Sequence, residues 1–191
     1  MVFDSKGKYL RQMGGVGTGP GQFTAGGGGH PHCVVLGADR LVYACDRGQD
    51  RINVYTRDGS FLHAIPVIPG TGTPGIGTAG SAWDVDFSPD NGQQFMYVSD
   101  GGNEIMWIFD HVANTILAGF GRPGHMAGDF TFLHMMAIDS QGNLYAGETV
   151  GGRRVQKFVR QGTVKDKDLE LVSPAGDPTH PQRHYDPVNR N

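Results

Sequence analysis

Residues 41–55, LVYACDRGQDRINVY, read as two short strands around one polar turn, and that reading decides the fold. VYACD mixes β-branched and aromatic residues, whereas RINVY alternates polar and apolar positions with the period of two of a half-buried strand. The arrangement returns as FMYVSDGGNEIMWIF at 95–109 and as LYAGETVGGRRVQKF at 144–158. Tyr43, Tyr97 and Tyr145 correspond, as do Asp46, Asp100 and Glu148, and then Tyr55, Phe109 and Phe158. Each unit is preceded by an apolar strand and a turn bearing Asp. The full copies cover 30–62, 81–117 and 132–162, a period of roughly 50 residues that marks a repeat architecture. Two hairpins per copy make a four-stranded antiparallel sheet, which is a propeller blade. The fold class expected is therefore all-β, with about three to four four-stranded blades in residues 1–162 and a polar, Pro-rich tail over 163–191.

Glycine-rich stretches separate the copies at 14–29, 66–80 and 121–130 and are expected to be connections on the faces of the disc, where loops tend to carry function. At the start, VFDSKGKYLRQMG at 2–14 repeats the pattern of VYTRDGSFLHAI at 54–65, so it is expected to form the last strands of a preceding blade.

The chain has 191 residues, 31 of them Gly, yet aromatic and β-branched residues recur between the glycines, which argues for short strands and tight turns instead of disorder. A formal net charge of −3 with scattered Lys and Arg leaves no footprint for nucleic acid or anionic lipid, so neither is expected as a partner. The first residues lack the apolar core of a signal peptide, and the chain as written reads as unexported, or as secreted if a leader has been lost. Cys33 and Cys45 sit on two arms of one hairpin; two free, buried thiols are the expectation, with a bridge as the alternative.

The motifs Gly21-Gln22-Phe23, Gly128-Asp129-Phe130, LVYACD, FMYVSD and NLYAGE, followed by RINVY and RVQKF, resemble NHL repeats, and the run is similar to the C-terminal half of bacterial six-bladed NHL propellers. The resemblance implies a propeller that is either a catalyst or a binding scaffold. In one catalytic relative, peptidyl-α-hydroxyglycine α-amidating lyase, Pro-His pairs at the start of innermost strands hold a zinc ion. Pro31-His32 and Leu133-His134 stand in that place here, with Ala82-Trp83-Asp84 at the third. Two imidazoles make an incomplete zinc site, so Asp84 or a group from another chain is expected to complete it. Calcium would prefer oxygen, for which Asp84, Asp86, Asp46, Asp100 and Glu148 are available. For the last three, the bland reading is a carboxylate holding backbone amides of the next turn.

The catalytic and metal set expected is thus His32, His134 and Asp84, with calcium or zinc as cofactor, and Trp83 and His30 are the candidate substrate contacts. The chemistry expected is divalent-metal-dependent hydrolysis of a lactone or ester, for example an acyl-homoserine lactone. An amidating-lyase-like enzyme and a non-catalytic scaffold are the alternatives. Three blades leave edges uncovered, so a homodimer that closes six blades and places both copies of His32 and His134 around one channel is expected.

Overall fold

The computed structural model describes residues 1–24, 31–71 and 80–161. His30 and the 163–191 tail lie outside the described residues. The elements in chain order are β1 (Val2–Phe3), β2 (Tyr9–Arg11), β3 (Pro31–Leu36), β4 (Val42–Asp46), β5 (Arg51–Tyr55), β6 (Phe61–Pro66), β7 (Asp84–Phe87), β8 (Phe95–Asp100), β9 (Ile105–Asp110), β10 (Thr115–Phe120), β11 (Leu133–Ile138), β12 (Leu144–Glu148) and β13 (Arg154–Phe158). They form four antiparallel sheets in simple sequence order: β1-β2, β3-β4-β5-β6, β7-β8-β9-β10 and β11-β12-β13. The all-β expectation and the blade topology hold. Among the described residues the third copy has three strands instead of four. No helix among the described residues is long and apolar enough to cross a membrane.

The strand period explains how the blades stack. Successive side chains on a strand point to opposite faces. Tyr43, Cys45, Ile52 and Val54 of the first blade therefore meet Val85, Phe87, Met96, Val98, Trp107 and Phe109 of the second. On the other face of the first blade, Ala44 and Tyr55 pack with Phe23 and Met13 from the segment that follows β2. The second blade turns Met106 and Tyr97 toward Phe130, Leu133, Leu144, Ala146 and Phe158 of the third. The second blade thus buries one face against the first and the other against the third, with β3, β7 and β11 innermost. On the face of the third blade turned away from the second, Val155 is exposed.

Two further observations explain the repeated acids. Asp46 Oδ2 accepts Arg51 Nε at 2.9 Å, and Arg51 Nη2 also donates to the carbonyls of Gly19 and Gln22. Glu148 Oε1 accepts Arg154 Nε at 2.7 Å, and Arg154 donates to the carbonyls of His125 and Asp129. In the second blade Ile105 stands at the Arg position, and Trp107 Nε1 takes over as donor to Asp100 Oδ2 at 2.9 Å. All three acids are structural acceptors: Asp100 takes the amides of Gly102 and Asn103 in the following turn, as the bland reading has it, whereas Asp46 and Glu148 take an Arg of the next strand and the amides of Thr24 and Thr131 in the preceding connection.

The free-thiol expectation for the cysteines is corrected. Cys33 and Cys45 form a disulfide with Cα atoms 4.9 Å apart. The register of β3 with β4, in which Val34 faces Ala44, continues to place Cys33 opposite Cys45, within the span a bridge requires.

Candidate functional site

His32, Trp83 and His134 head the three innermost strands and converge on one face of the stack. Both histidines sit in bulges, between Pro31 and Val34 on β3 and between Leu133 and Met135 on β11. A bulge re-aims side chains out of the strict alternation, which lets imidazoles at strand heads turn toward each other. The backbone entering β11 is held by Glu104, whose two carboxylate oxygens accept the amides of Phe132 and Leu133 at 2.6 and 2.8 Å.

The ring centroids of His32 and His134 are 4.8 Å apart, and each lies close to Trp83, at 5.1 and 5.2 Å respectively. Trp83 is only 1% exposed. Its Nε1 donates to the Gly80 carbonyl at 2.7 Å, and Phe132 meets its ring edge-on. The Arg47 guanidinium stacks over the indole, 4.5 Å from the centroid. Gly101 leaves room for the ring, because a Cβ there would come within 2.8 Å of Trp83 and 2.3 Å of the Leu133 carbonyl. Trp83 is therefore a buried packing residue on which the two imidazoles rest, not an open platform for substrate.

The tautomers follow from the partners. His32 Nδ1 lies 2.7 Å from the Trp83 carbonyl oxygen, which can only accept, so Nδ1 carries a proton and Nε2 carries the lone pair in the neutral ring. His134 Nδ1 is buried with no hydrogen-bond partner among the described residues. An orphaned N–H is costlier and rarer than an under-used acceptor, so Nδ1 holds the lone pair and Nε2 the proton. Burial, and then the Arg47 charge, hold the His134 imidazole below its ordinary pKa, so it is neutral at pH 7. For neutral rings these partners imply opposite tautomers, with the proton on Nδ1 of His32 and on Nε2 of His134.

Asp84 does not join them. Its Oδ1 accepts the Val85 amide at 3.0 Å and its Oδ2 the Met136 amide at 2.9 Å. Asp86 repeats the arrangement, accepting Phe87 N at 2.8 Å and Ile138 N at 2.7 Å. By register, these four amides point away from the strands that β7 and β11 pair with, so two aspartates staple the open edges of neighbouring innermost strands. Burial pushes the Asp84 carboxyl up, and the amides of Met136 and Val85 oppose that. Among the described residues no three His, Cys, Asp or Glu are grouped so as to hold a metal ion. With two imidazoles, a nearby guanidinium and both Asp84 oxygens engaged, this donor set does not fit a divalent cation.

Asp84→Asn and Asp86→Asn each replace an accepting oxygen by an NH2 that faces an amide N–H. Each is expected to lower unfolding stability by about 1–3 kcal/mol, the cost of a buried group left unsatisfied. Urea denaturation checks this, and unchanged midpoints in both variants would show that the staples carry nothing. Sequence reasoning missed Arg47 and the staple role of the aspartates. The residues at Arg47's place in the other copies are Gly101 and Thr149, so no repeat signal marked it.

No protein-family model and no curated protein matches the chain. Among solved structures, a Bacteroides fragilis protein described as exported is similar at 16% identity and a TM-score of 0.50, over 82% of this chain and 43% of that one. Virginiamycin B lyase from Staphylococcus aureus is similar at 13% identity and a TM-score of 0.45, over 70% and 42%. The WD40 repeats of RRP9 follow at 18% and 0.41, over 61% and 32%. The chain spans less than half the length of each of these structures. At such identities the likeness is one of fold and does not single out the NHL type, and the fold itself is an array of β-propeller blades.

Proposed function

We propose that the chain carries the acid–base site of a propeller enzyme that hydrolyses a small ester or lactone at the His32–His134 pair. The observation that supports this reading is two imidazoles with ring centroids 4.8 Å apart, whose Nδ1 surroundings imply opposite tautomers. His32 Nε2 takes a proton from water as the water oxygen bonds to the carbonyl carbon. The His134 Nε2–H hydrogen-bonds to the carbonyl oxygen and stabilises the negative charge that develops there, keeping its proton throughout. Collapse of the tetrahedral adduct breaks the acyl C–O bond, and the proton held on His32 goes to the departing alkoxide. Trp83 and Arg47 hold the rings in place, and no step passes through a metal. The amidating-lyase alternative asks for an imidazole where Trp83 stands, and the indole offers no ligand.

The test is turnover of a panel of small lactones and esters, acyl-homoserine lactones included, by the full chain with and without chelator. His32→Ala and His134→Ala are each expected to lower kcat about 100-fold or more while chelator changes nothing, since a positioned acid or base contributes about 10²–10⁴-fold. Turnover untouched by both substitutions would overturn the proposal and favour a non-catalytic scaffold. Turnover abolished by chelator and restored by calcium or zinc would return the metal-dependent mechanism.

A further inference from the structure

Among the described residues, the staple that joins β7 to β11 has no counterpart on β3. Val34 and Leu36 occupy the positions that Val85 and Phe87 hold on β7 and Met136 and Ile138 hold on β11. The register of β3 with β4, continued by the Gly37 amide bonding to the Leu41 carbonyl, directs the Val34 and Leu36 amides away from β4. On β7 such amides are capped by Asp84 and Asp86 of the same strand, and on β11 by those aspartates across the blade boundary. β3 has Cys33 and Val35 at the capping positions, and Cys33 is in the disulfide, so it cannot cap itself. The side chains tell the same story. Val85 and Phe87 are 2% and 4% exposed between blades, whereas Val34 and Leu36 are 73% and 55% exposed.

We infer that the channel-side edge of β3 is a docking edge for the innermost strand of a further propeller blade that carries Asp-x-Asp. Its two carboxylates take the Val34 and Leu36 amides while an apolar blade face covers the two side chains. The specificity lies in the spacing. Carboxylates at i and i+2 share one side of a strand and meet two amides that are themselves two residues apart, as Asp84 and Asp86 do with Met136 and Ile138. A second copy of this chain does not fit the requirement. Its β7 aspartates are already engaged, and its third blade offers Met135 and Ala137 at the equivalent places.

The test uses the full chain, labelled with 15N, and a cyclised hairpin peptide of residues 81–100 as a surrogate Asp-x-Asp strand, with the doubly substituted Asp84→Asn, Asp86→Asn peptide as control. Saturable shifts at the Val34 and Leu36 amides, with hydrogen exchange there slowed at least tenfold by the first peptide and not by the second, are the expected result. Equal effects of the two peptides, or none, would overturn the inference. So would a chain that light scattering shows to be a dimer with these two amides already protected, because a second copy would then be the occupant.

Discussion

Trp107→Ala is expected to lower the unfolding free energy by about 4 kcal/mol, near the upper end for removing a buried aromatic. Trp107 is 1% exposed and lies in the cluster that joins the first two blades. Two costs add there. The indole leaves a cavity bordered by both blades, and Asp100 loses a donor on Oδ2. Asp100 is fully buried, and burial pushes its carboxyl up to about 6 although Trp107, Asn103 and Gly102 all donate to it. A carboxyl raised above its unfolded value of 3.8 keeps its proton longer in the folded state. Its favourable contribution is therefore full below about pH 4 and is lost as pH rises through about 6. Trp107→Phe isolates that effect, since the volume is nearly kept and the donor is gone. Its stability deficit relative to the parent is expected to grow between pH 4 and 7, read from urea midpoints across that range. A deficit independent of pH would show that the indole N–H does not matter to Asp100.

Reduction of the Cys33–Cys45 bridge is expected to cost about 3 kcal/mol, the chain-entropy value for a loop of roughly 15 residues. The bridge closes a 12-residue separation between β3 and β4. It also pins the strand head that carries His32, one residue away. Cys33→Ser with Cys45→Ser, or the parent protein in excess reductant, should unfold at lower urea than the oxidised protein. Alkylation of the native, oxidised chain should label neither cysteine. Ready labelling of both without reductant, with unchanged stability, would restore the free-thiol expectation.

The blades were legible because their signal is local and repeated. Tyr43, Tyr97 and Tyr145 recur beside an acid and a polar turn, and the period of two in RINVY and RVQKF splits their side chains between two blade faces. The structural role of Asp100 was legible for the same reason, since an acid at the end of a second strand meets the amides of the following turn; the partners of Asp46 and Glu148 were not, because Thr24 and Thr131 lie in the connections that precede their blades. The bridge was open to either reading, because it depends on the exact register of β3 with β4, and the equivalent pairs, Asp84 with Ser99 and Met135 with Gly147, carry no cysteine that would repeat the signal. Asp84 read as a metal ligand because its partner, the open amide of Met136, lies 52 residues away on another strand. His32 and His134 were expected at equivalent positions on innermost strands, pointing toward the channel, and their rings lie 4.8 Å apart, but their tautomers rest on the Trp83 carbonyl and on a buried nitrogen, which only the packed blades define.

The measurement that bears most directly on the proposed site is the 15N NMR spectrum of the imidazole nitrogens at pH 7, recorded before and after calcium or zinc is added. A protonated Nδ1 on His32, a neutral His134 protonated at Nε2, and no response to either ion are the predicted result. A charged His134, a proton on His134 Nδ1, or both rings shifting together on binding metal would contradict the acid–base pair.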